Sequence, residues 1–327
     1  MTLRVAVVLG TRPEAIKLAP VIRCLQADER FQVRVWFTGQ HREMVQQVAD
    51  RFGFAADRDL AIMTAHQTLT DIAARALTGL APLYQTEALD WVLVQGDTST
   101  AFVAALGAFY HRIPVAHVEA GLRTDDLWNP YPEEANRRLL SQIASLHFAP
   151  TAAAVANLQR SGVTGTVHQT GNTAIDALLY AAAQHPACVV PGLDWEQHRV
   201  ILATLHRREN WGEPLTRIAH AWRTLLDRFP DTALLLPLHP NPVVRQPLQH
   251  YLGDHPRAHL VEPLDYFALV GALQRCYLIT TDSGGLQEEA PALGKPVCVL
   301  RETTERPEAI ACGAAQLVGT ETNPIVE

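Results

Sequence analysis

Apolar, β-branched runs alternate with longer amphipathic segments along the whole chain. The runs carry no regular polar positions, which is typical of parallel strands that are covered on both faces. In the first half we predict strands at residues 3–9, 33–37, 91–95, 115–118 and 146–148, with a weaker one near Val167. In the second half we predict them at residues 200–205, 233–238, 259–261, 277–281 and 297–300, with a weaker one at 316–318. The helical segments between the strands act as crossovers, so both halves are predicted to form parallel α/β sheets.

Two such sets of strands predict two Rossmann-like, doubly wound domains. We place the N-terminal domain at residues 1–172 and the C-terminal domain at residues 173–327, because the pattern changes near Gly171 and Asn172. A length of 327 residues allows about two domains with separate cores. Ligands of such sheets bind beyond the carboxyl ends of the strands, so residues that directly follow a strand are the candidates for a site.

The most informative candidate is a glycine turn between the strand at 277–281 and the helical pattern that follows it. Ser283 is expected to cap that helix, while Gly284 and Gly285 let an anion approach the backbone N–H groups at its positive end. Glu289 lies about one turn further on, where its carboxylate can accept hydrogen bonds from sugar hydroxyls. A diphosphate that carries a ribose fits this arrangement. A capped helix with acidic residues in its first turn is the alternative.

Two cations follow the first predicted strand. Arg12 and Lys17 lie near the start of a helix for which Pro13 suits the first position, and the helix dipole disfavours cations there. A bound anion would compensate for this unfavourable placement, so we interpret both residues as candidates for anion binding. An ion pair between Arg12 and Glu14 is the alternative explanation.

Two carboxylates follow neighbouring strands of the first half. Asp97 comes after the strand at 91–95, and Glu119 directly follows the strand at 115–118. One helix connects these strands, so a right-handed crossover makes them parallel and brings both carboxylates to the same edge. Asp97 also suits a helix cap, whereas glutamate rarely ends a buried strand without a partner. Two carboxylates whose pKa values differ can serve as acid and base.

In the second half, three polar residues directly follow a predicted strand, namely His206, Arg207 and Arg208. A histidine and two arginines at such a position suit a phosphate or a leaving-group oxygen. His239 occupies the corresponding place on the next strand and is interpreted as a structural histidine.

Two further candidates have ordinary structural explanations. Glu133 and Glu134 follow Pro132 and are typical of a helix start, with Glu134 and Arg138 spaced for a favourable ion pair. Arg306 is placed either to reach a phosphate or to pair with a neighbouring glutamate.

Composition narrows the classes of function. The formal net charge is −7 without blocks of like charge, which argues against nucleic acid or an anionic membrane as a partner. The five cysteines form no CxxC pair, and the apolar run at residues 5–9 is too short for a signal sequence or a membrane span. We therefore expect a cytoplasmic protein. Metal-ligand spacing, a G-x-G-x-x-G motif and a Walker motif do not occur in the sequence, so we expect no metal and no cofactor.

The chain also carries an ordered series of segments that resembles one known family. The segments are GTRPEAIKLAP (10–20), QGDT (95–98), HVEAGLRT (117–124), PEEANR (132–137), HRRE (206–209), DSGGLQEEAPALGKP (282–296) and ETTERPEA (302–309). Together they resemble the bacterial non-hydrolysing UDP-N-acetylglucosamine 2-epimerases over essentially the whole chain. The resemblance implies a GT-B-like fold with the active site in the interdomain cleft, and usually a homodimer.

The resemblance also implies roles for individual residues. The acid and base carboxylates of the family match Asp97, Glu119 and Glu133, and His206 matches a residue that assists at the diphosphate or in catalysis. Arg12 and Lys17 match residues around the sugar and the diphosphate. The nucleotide-binding positions match Ser283, Gly284, Gly285, Glu289 at the ribose, and Arg306. Glu133 enters the candidate site through this resemblance alone.

The implied activity is reversible epimerisation at carbon 2 between UDP-N-acetylglucosamine (UDP-GlcNAc) and UDP-N-acetylmannosamine (UDP-ManNAc). Elimination of UDP gives a glycal, and UDP is then added back, so carboxylates and anion-binding groups are needed but nicotinamide is not. The alternatives are a hydrolysing epimerase that releases UDP and N-acetylmannosamine, a catalytically weak nucleotide-sugar-binding protein, and, less favoured, a glycosyltransferase.

Some positions depart from the pattern of the family. Leu205 precedes His206 where glycine is common and is expected to crowd the approach of a ligand to the backbone. Leu269 stands where an aromatic residue near the uracil is frequent, and Phe267 is a candidate substitute. His66 stands where relatives activated by a second substrate molecule have arginine, which argues against such activation. Relatives continue beyond the position of Glu327 with a helix that returns to the N-terminal domain. We therefore expect either that the present sequence is trimmed or that the protein lacks a hinge element that couples the domains.

Overall fold

Two parallel sheets, each wound by helices, organise the structure, which is a computed structural model that describes residues 2–64, 67–124, 126–304 and 307–327. The chain separates into two compact units, Met1–Ala177 and Leu178–Glu327. Each unit contains one sheet with its own hydrophobic core. The prediction of two doubly wound α/β sheets is therefore confirmed.

The first unit contains a seven-stranded parallel sheet within its described residues. Its strands are β1 (Leu3–Leu9), β2 (Phe31–Phe37), β3 (Arg58–Asp59), β4 (Trp91–Gln95), β5 (Val115–Val118), β6 (Leu146–Ala149) and β7 (Thr166–Gln169). Its helices are α1 (Arg12–Gln26), α2 (Arg42–Phe52), α3 (Leu69–Thr86), α4 (Ser99–Tyr110), α5 (Glu133–Ile143) and α6 (Ala152–Arg160). Helix α7 (Thr173–Ala182) leads from this unit into the next. The strand order is β3-β2-β1-β4-β5-β6-β7.

The second unit contains a six-stranded parallel sheet within its described residues. Its strands are β8 (Arg199–Thr204), β9 (Thr232–Pro237), β10 (Ala258–Val261), β11 (Leu278–Thr281), β12 (Val297–Val299) and β13 (Ala315–Leu317). Its helices are α8 (Glu213–Arg228), α9 (Pro242–Leu252), α10 (Tyr266–Arg275), α11 (Leu286–Ala292), α12 (Pro307–Ala311) and α13 (Thr322–Val326), and a short 3-10 turn covers Arg208–Asn210. The strand order is β10-β9-β8-β11-β12-β13.

The cores explain why these apolar runs form strands. In the first unit, β1 and β4 are almost entirely buried beneath α4, an alanine-rich helix that lies between α3 and α5. In the second unit, Trp222 of α8 is fully buried, and its Nε1–H donates to Thr280 Oγ1 at 2.9 Å. The buried indole thus satisfies its polar atom while filling the space between helix and sheet.

One strand, β3, was not predicted, and four predicted strands of the second unit end one residue too late, as the one that was extended to Leu205 shows. The two residues of β3 are exposed, so they carry no apolar run that could indicate a strand. Leu205 lies just beyond the end of β8, but its side chain is buried in the core cluster of the second unit. Its apolar character therefore reflects core packing, although its backbone has already left the sheet.

Candidate functional site

Both sheets reverse their strand order at one point, and candidate residues follow the strands on either side of it. In the first sheet the reversal lies between β1 and β4, and in the second between β8 and β11. A crevice opens at the carboxyl ends of such a strand pair, because the following helices leave to opposite faces of the sheet. The loops after these four strands are therefore where a ligand is expected.

Glu119, directly after β5, is held by one side chain from helix α1 and one from strand β4. Lys17 Nζ of α1 donates to both Oε1 and Oε2 of Glu119 at 2.7 Å, and Gln95 Nε2 donates to Oε2. The carboxylate is only 10% exposed, while Lys17 keeps 26% of its side chain accessible. Glu119 has a backbone φ of +63°, a left-handed conformation that is unfavourable for a residue with a side chain.

Asp97, in the loop after β4, lies in the same electrostatic environment. Arg137 Nη2 of α5 contacts its Oδ2 at 2.7 Å. Burial raises the pKa of Asp97 above its ordinary value, and the Arg137 charge opposes this increase. The negative charges of Glu119 and Glu133 raise the pKa of Asp97 further. The three candidate carboxylates thus interact, and the raised pKa of Asp97 means that it holds a proton more readily than an ordinary aspartate.

Glu14 does not form the ion pair with Arg12 that was the alternative explanation from the sequence. Instead of pairing with Arg12, its Oε2 accepts from the backbone N–H groups of Gly10 (3.0 Å) and Thr11 (2.7 Å), and its Oε1 accepts from Thr98 Oγ1 at 2.7 Å. Glu14 is fully buried, and this burial raises its pKa despite the hydrogen bonds. It joins the loop after β1 to the loop after β4, next to Asp97.

Helix α5 supplies the cation that the sequence interpretation missed. Glu134 is fully buried and pairs with Arg138 at 2.6 Å, as predicted, and with Arg137 at 3.5 Å. Arg137 therefore bridges Glu134 and Asp97. Helical spacing was the available signal, because Arg137 follows Glu133 by four residues and lies on the same face of the helix. Glu133 is the first residue of α5 and is half-buried.

The loop after β8 in the second unit is organised around a buried acid. Asp282 follows β11, has no exposed side chain, and contacts His206 Nδ1 through Oδ1 at 2.8 Å. Its Oδ2 accepts from the backbone N–H groups of His206 (3.0 Å) and Arg207 (2.8 Å) and from Asn210 Nδ2 (3.1 Å). The His206 ring remains 40% exposed and is stacked near His239, with 6.4 Å between the ring centroids.

The prediction that Ser283 caps the next helix is wrong. Helix α11 begins at Leu286 and its N-cap residue is Gly285, so Ser283 precedes the cap by two positions. The Ser283 N–H donates to Thr281 Oγ1 at 2.9 Å, and its carbonyl accepts from Gln287 Nε2 at 3.1 Å. Gly285 is exposed, with φ −64°, and a Cβ built there would lie 3.9 Å from Ser283 Oγ. Gly285 therefore makes part of the backbone of this turn accessible, as anion binding requires.

The remaining candidates have simpler surroundings. Gly284 is buried within the same turn, and Glu289 is half-buried on α11. Arg12 is the first residue of α1 and is half-buried. Arg306 and His66 lie outside the described residues. Phe267 is 3% exposed and packs edge-to-face against Tyr266, so it belongs to the core and does not offer the expected substitute for an aromatic residue at a base.

The described part of the chain contains no group of three or more His, Cys, Asp or Glu residues arranged to hold a metal ion. Within the same residues, no helix is both long enough and apolar enough to span a membrane. The site is therefore best described by its charges. An acidic group countered by Lys17 and Arg137 lies in the first unit, and an imidazole beside an accessible glycine turn lies in the second.

Comparison with known proteins gives one consistent result. A family model described as UDP-N-acetylglucosamine 2-epimerase matches residues 23–327. The UDP-N-acetylglucosamine 2-epimerase of Escherichia coli strain K12 is 46% identical over 335 residues, which covers 99% of this chain and 89% of that protein. A crystal structure of UDP-GlcNAc 2-epimerase from Neisseria meningitidis bound to UDP-GlcNAc has a TM-score of 0.89 at 46% identity, covering 99% of this chain and 90% of that one. The S. aureus MnaA–UDP co-structure has a TM-score of 0.85 at 42% identity, covering 99% and 86%.

Proposed function

The chain belongs to the UDP-N-acetylglucosamine 2-epimerase family, and from that premise we propose that it interconverts UDP-GlcNAc and UDP-ManNAc by reversible inversion at carbon 2. The resemblance inferred from the sequence motifs is thereby confirmed, and the enzyme is an isomerase. The product, the residues and the route are part of the proposal.

The position of the inverted carbon determines the route. The hydrogen on carbon 2 is not adjacent to a carbonyl group, so its direct removal would leave a poorly stabilised carbanion. If a base removes this proton while the bond between carbon 1 and the UDP oxygen breaks, a double bond forms between carbons 1 and 2. UDP leaves as an anion. Return of a proton to the opposite face of carbon 2 and re-addition of UDP to carbon 1 then give the epimer without net oxidation or hydrolysis.

The observation that carries the proposal is the group of coupled carboxylates in the first unit. Glu119 accepts hydrogen bonds from Lys17 and Gln95, which fix its carboxylate at the sheet edge, and it therefore suits the base that removes the proton. Asp97 has its pKa raised by burial, which suits a group that returns a proton. Glu133 acts electrostatically on Asp97 and is the third member of the group. Carboxylates in different protonation states are needed because one face of carbon 2 loses a proton and the other gains one.

The departing diphosphate needs hydrogen-bond donors and cations. We assign this role to His206 and to the accessible turn at Ser283, Gly284 and Gly285, with Glu289 at the ribose and Arg12, Lys17 and Arg306 as the cations. In this proposal the carboxylates of the first unit act on the sugar, while UDP is bound by the second unit with the help of Arg12 and Lys17. The Neisseria meningitidis structure with UDP-GlcNAc and the S. aureus structure with UDP support the choice of ligand.

Incubation with UDP-GlcNAc in deuterium oxide tests the reaction. We expect UDP-ManNAc and UDP-GlcNAc at equilibrium, both with deuterium at carbon 2 and both still joined to UDP, as observed by NMR. Free UDP and N-acetylmannosamine as the accumulating products would replace the proposal with hydrolysis. Binding of UDP-GlcNAc without any exchange at carbon 2 would rule out the epimerase.

We further propose that the enzyme is a homodimer in the cytoplasm that supplies an activated sugar for polysaccharide synthesis. Three exposed apolar side chains support a contact surface on the α4–α5 side of the first unit: Phe109 (54%), Tyr110 (63%) and Leu139 (53%). The five cysteines are all free, which is consistent with a reducing compartment. Sedimentation equilibrium should give twice the chain mass, and Tyr110→Glu should shift the enzyme towards monomer.

A further inference from the structure

We propose that Asp282 is a positioning residue that fixes the His206 imidazole with its proton on Nδ1, so that Nε2 is the nitrogen that meets the leaving diphosphate. The inference rests on the proposed function for the role of Nε2. The assignment of a proton to Nδ1 depends only on the contacts within the second unit and not on the proposed function.

The two oxygens of Asp282 have different partners. Oδ2 accepts from Arg207 N, His206 N and Asn210 Nδ2, at 2.8, 3.0 and 3.1 Å. Oδ1 contacts His206 Nδ1 at 2.8 Å and has a longer contact of 3.2 Å with His206 N. Asn210 also donates to the Leu300 carbonyl at 3.0 Å, so the Oδ2 side ties the loop after β8 to the neighbouring strand ends. The loop is therefore held mainly through Oδ2, while Oδ1 serves the imidazole.

The protonation state of Asp282 determines which nitrogen carries the proton. Burial opposes ionisation of Asp282, but the hydrogen bond and charge of His206 and the backbone N–H groups outweigh it, so the net pKa lies below the ordinary value. An ionised carboxylate can only accept hydrogen bonds. Nδ1 of His206 must therefore carry a hydrogen. Nε2 is then left to bind a proton or to donate one towards a substrate oxygen.

The neighbouring histidine does not compete for this role. Burial and the nearby His206 lower the pKa of His239, while Asp282 opposes the shift, so His239 remains neutral near neutral pH. Its Nδ1 accepts from the Asn241 N–H at 3.2 Å. His206 is consequently the imidazole that the Asp282 carboxylate holds at this edge. With Nδ1 turned towards Asp282, a proton on Nε2 can be donated to the diphosphate as negative charge develops there.

The Asp282→Asn variant distinguishes two roles of Asp282, holding the loop after β8 and orienting the His206 ring. The amide oxygen can replace Oδ2 and keep its three donors, while the amide nitrogen replaces Oδ1 and donates to Nδ1. This reverses the single hydrogen bond to the imidazole. In wild-type enzyme with ¹⁵N-labelled histidine, NMR should show His206 protonated at Nδ1. In Asp282→Asn the neutral ring should instead be protonated at Nε2. A wild-type ring with bare Nδ1 would overturn the inference, whether or not the variant folds.

Kinetics of a double-mutant cycle test whether Asp282 acts through His206. Asp282→Asn and His206→Gln should each lower kcat by about 10²-fold, with KM for UDP-GlcNAc changed by about threefold or less. Because both remove the same interaction, the double variant should be about as slow as either single variant. If the losses in kcat of the two single variants multiplied in the double variant, a positioning role would be contradicted. A kcat for Asp282→Asn within about twofold of wild type would also contradict it.

A matched control uses the same substitution at the opposite end of the sheet. Asp231 precedes β9 and pairs with Arg199 in an exposed ion pair. Asp231→Asn should leave both kcat and the His206 NMR signals unchanged. If wild-type enzyme shows the Nδ1 proton but no epimerisation, the reaction proposed above fails while the Asp282–His206 geometry stands. If epimerisation occurs but Nδ1 is bare, only the present inference fails.

Discussion

The two sheet edges share one topology but use their buried acids in opposite ways. In the first unit, Glu119 and Asp97 are countered by the side-chain cations Lys17 and Arg137 and remain partly accessible. In the second unit, Asp282 is fully buried, and the groups that contact its carboxylate belong to the loop after β8. The carboxylates at the edge of the first sheet (the first edge) can therefore exchange protons with a ligand. At the edge of the second sheet (the second edge), Asp282 instead orients hydrogen-bond donors.

This difference shows how a single winding pattern supports two tasks. A carboxylate that contacts a partly accessible lysine can change its partner when a ligand arrives. A carboxylate with four or more donors and no exposed surface cannot do so without loss of the loop it holds. Both kinds of carboxylate follow a strand. What distinguishes a proton-transfer group from a structural one is how deeply it is buried and which groups it contacts.

The comparison is tested most severely at Glu119. Glu119→Gln keeps the size of the side chain but removes the base, so we expect kcat and deuterium exchange at carbon 2 to fall by about 10³-fold or more. Affinity for UDP, measured by calorimetry, should be retained, because the substitution leaves in place every residue that we assign to the diphosphate and the ribose. Glu29→Gln, an exposed change before β2, is the matched control and should exchange normally. Undiminished exchange in Glu119→Gln would exclude Glu119 as the base.

Asp97→Asn should have the next largest effect, a loss of about 10²-fold in kcat. The raised pKa of Asp97 also predicts a pH dependence. The group binds a proton at a higher pH than an ordinary aspartate, so one limb of the profile of kcat/KM against pH should lie above the usual range of aspartate. That limb should be missing in Asp97→Asn. An unaltered profile in the variant would assign the limb to another group.

Arg137→Ala tests the cation that joins two acids of the first edge. Its removal leaves Asp97 and buried Glu134 without a shared partner, so we expect a loss of about 2 kcal/mol in the free energy of unfolding. Arg138→Ala is the control, since Arg138 pairs with the same Glu134 but is 43% exposed, and its loss should be smaller. Urea denaturation of both variants measures the difference. Equal losses would show that Arg137 has no special position.

We expect the smallest effect, a change in melting temperature, at Glu14. Like Asp282, this buried acid at the edge of the first sheet accepts hydrogen bonds from backbone N–H groups. Gln at this position keeps an acceptor for Gly10 and Thr11 and removes the buried charge. Because burial raises the pKa of Glu14, its contribution to stability is present below the ordinary glutamate pKa and is lost as the pH rises through the folded-state pKa. The melting temperature of Glu14→Gln should therefore equal or slightly exceed that of wild type at pH 7.5, and this advantage should vanish at acidic pH. A lower melting temperature at pH 7.5 would contradict this account.

The sequence predicts the sheets well because uninterrupted apolar runs leave few alternatives to buried parallel strands. It placed Asp97 and Glu119 at one edge through the crossover rule, but it could not show that the anion beside Lys17 is Glu119 itself, 102 residues away. Asp282 was overlooked because an aspartate before two glycines looks like a turn residue. Only the pairing of β8 with β11 brings it to His206.

The left-handed backbone of Glu119 has a consequence for how this chain can vary. Selection for folding alone would favour glycine at that position, since the conformation costs roughly 1 kcal/mol for any other residue. A Glu119→Gly variant would avoid that conformational penalty but would lack the acid. Stability therefore favours glycine at this position, whereas the proposed chemistry requires glutamate. Stabilising drift towards glycine here would be a sign, in any descendant, that the chemistry had been given up.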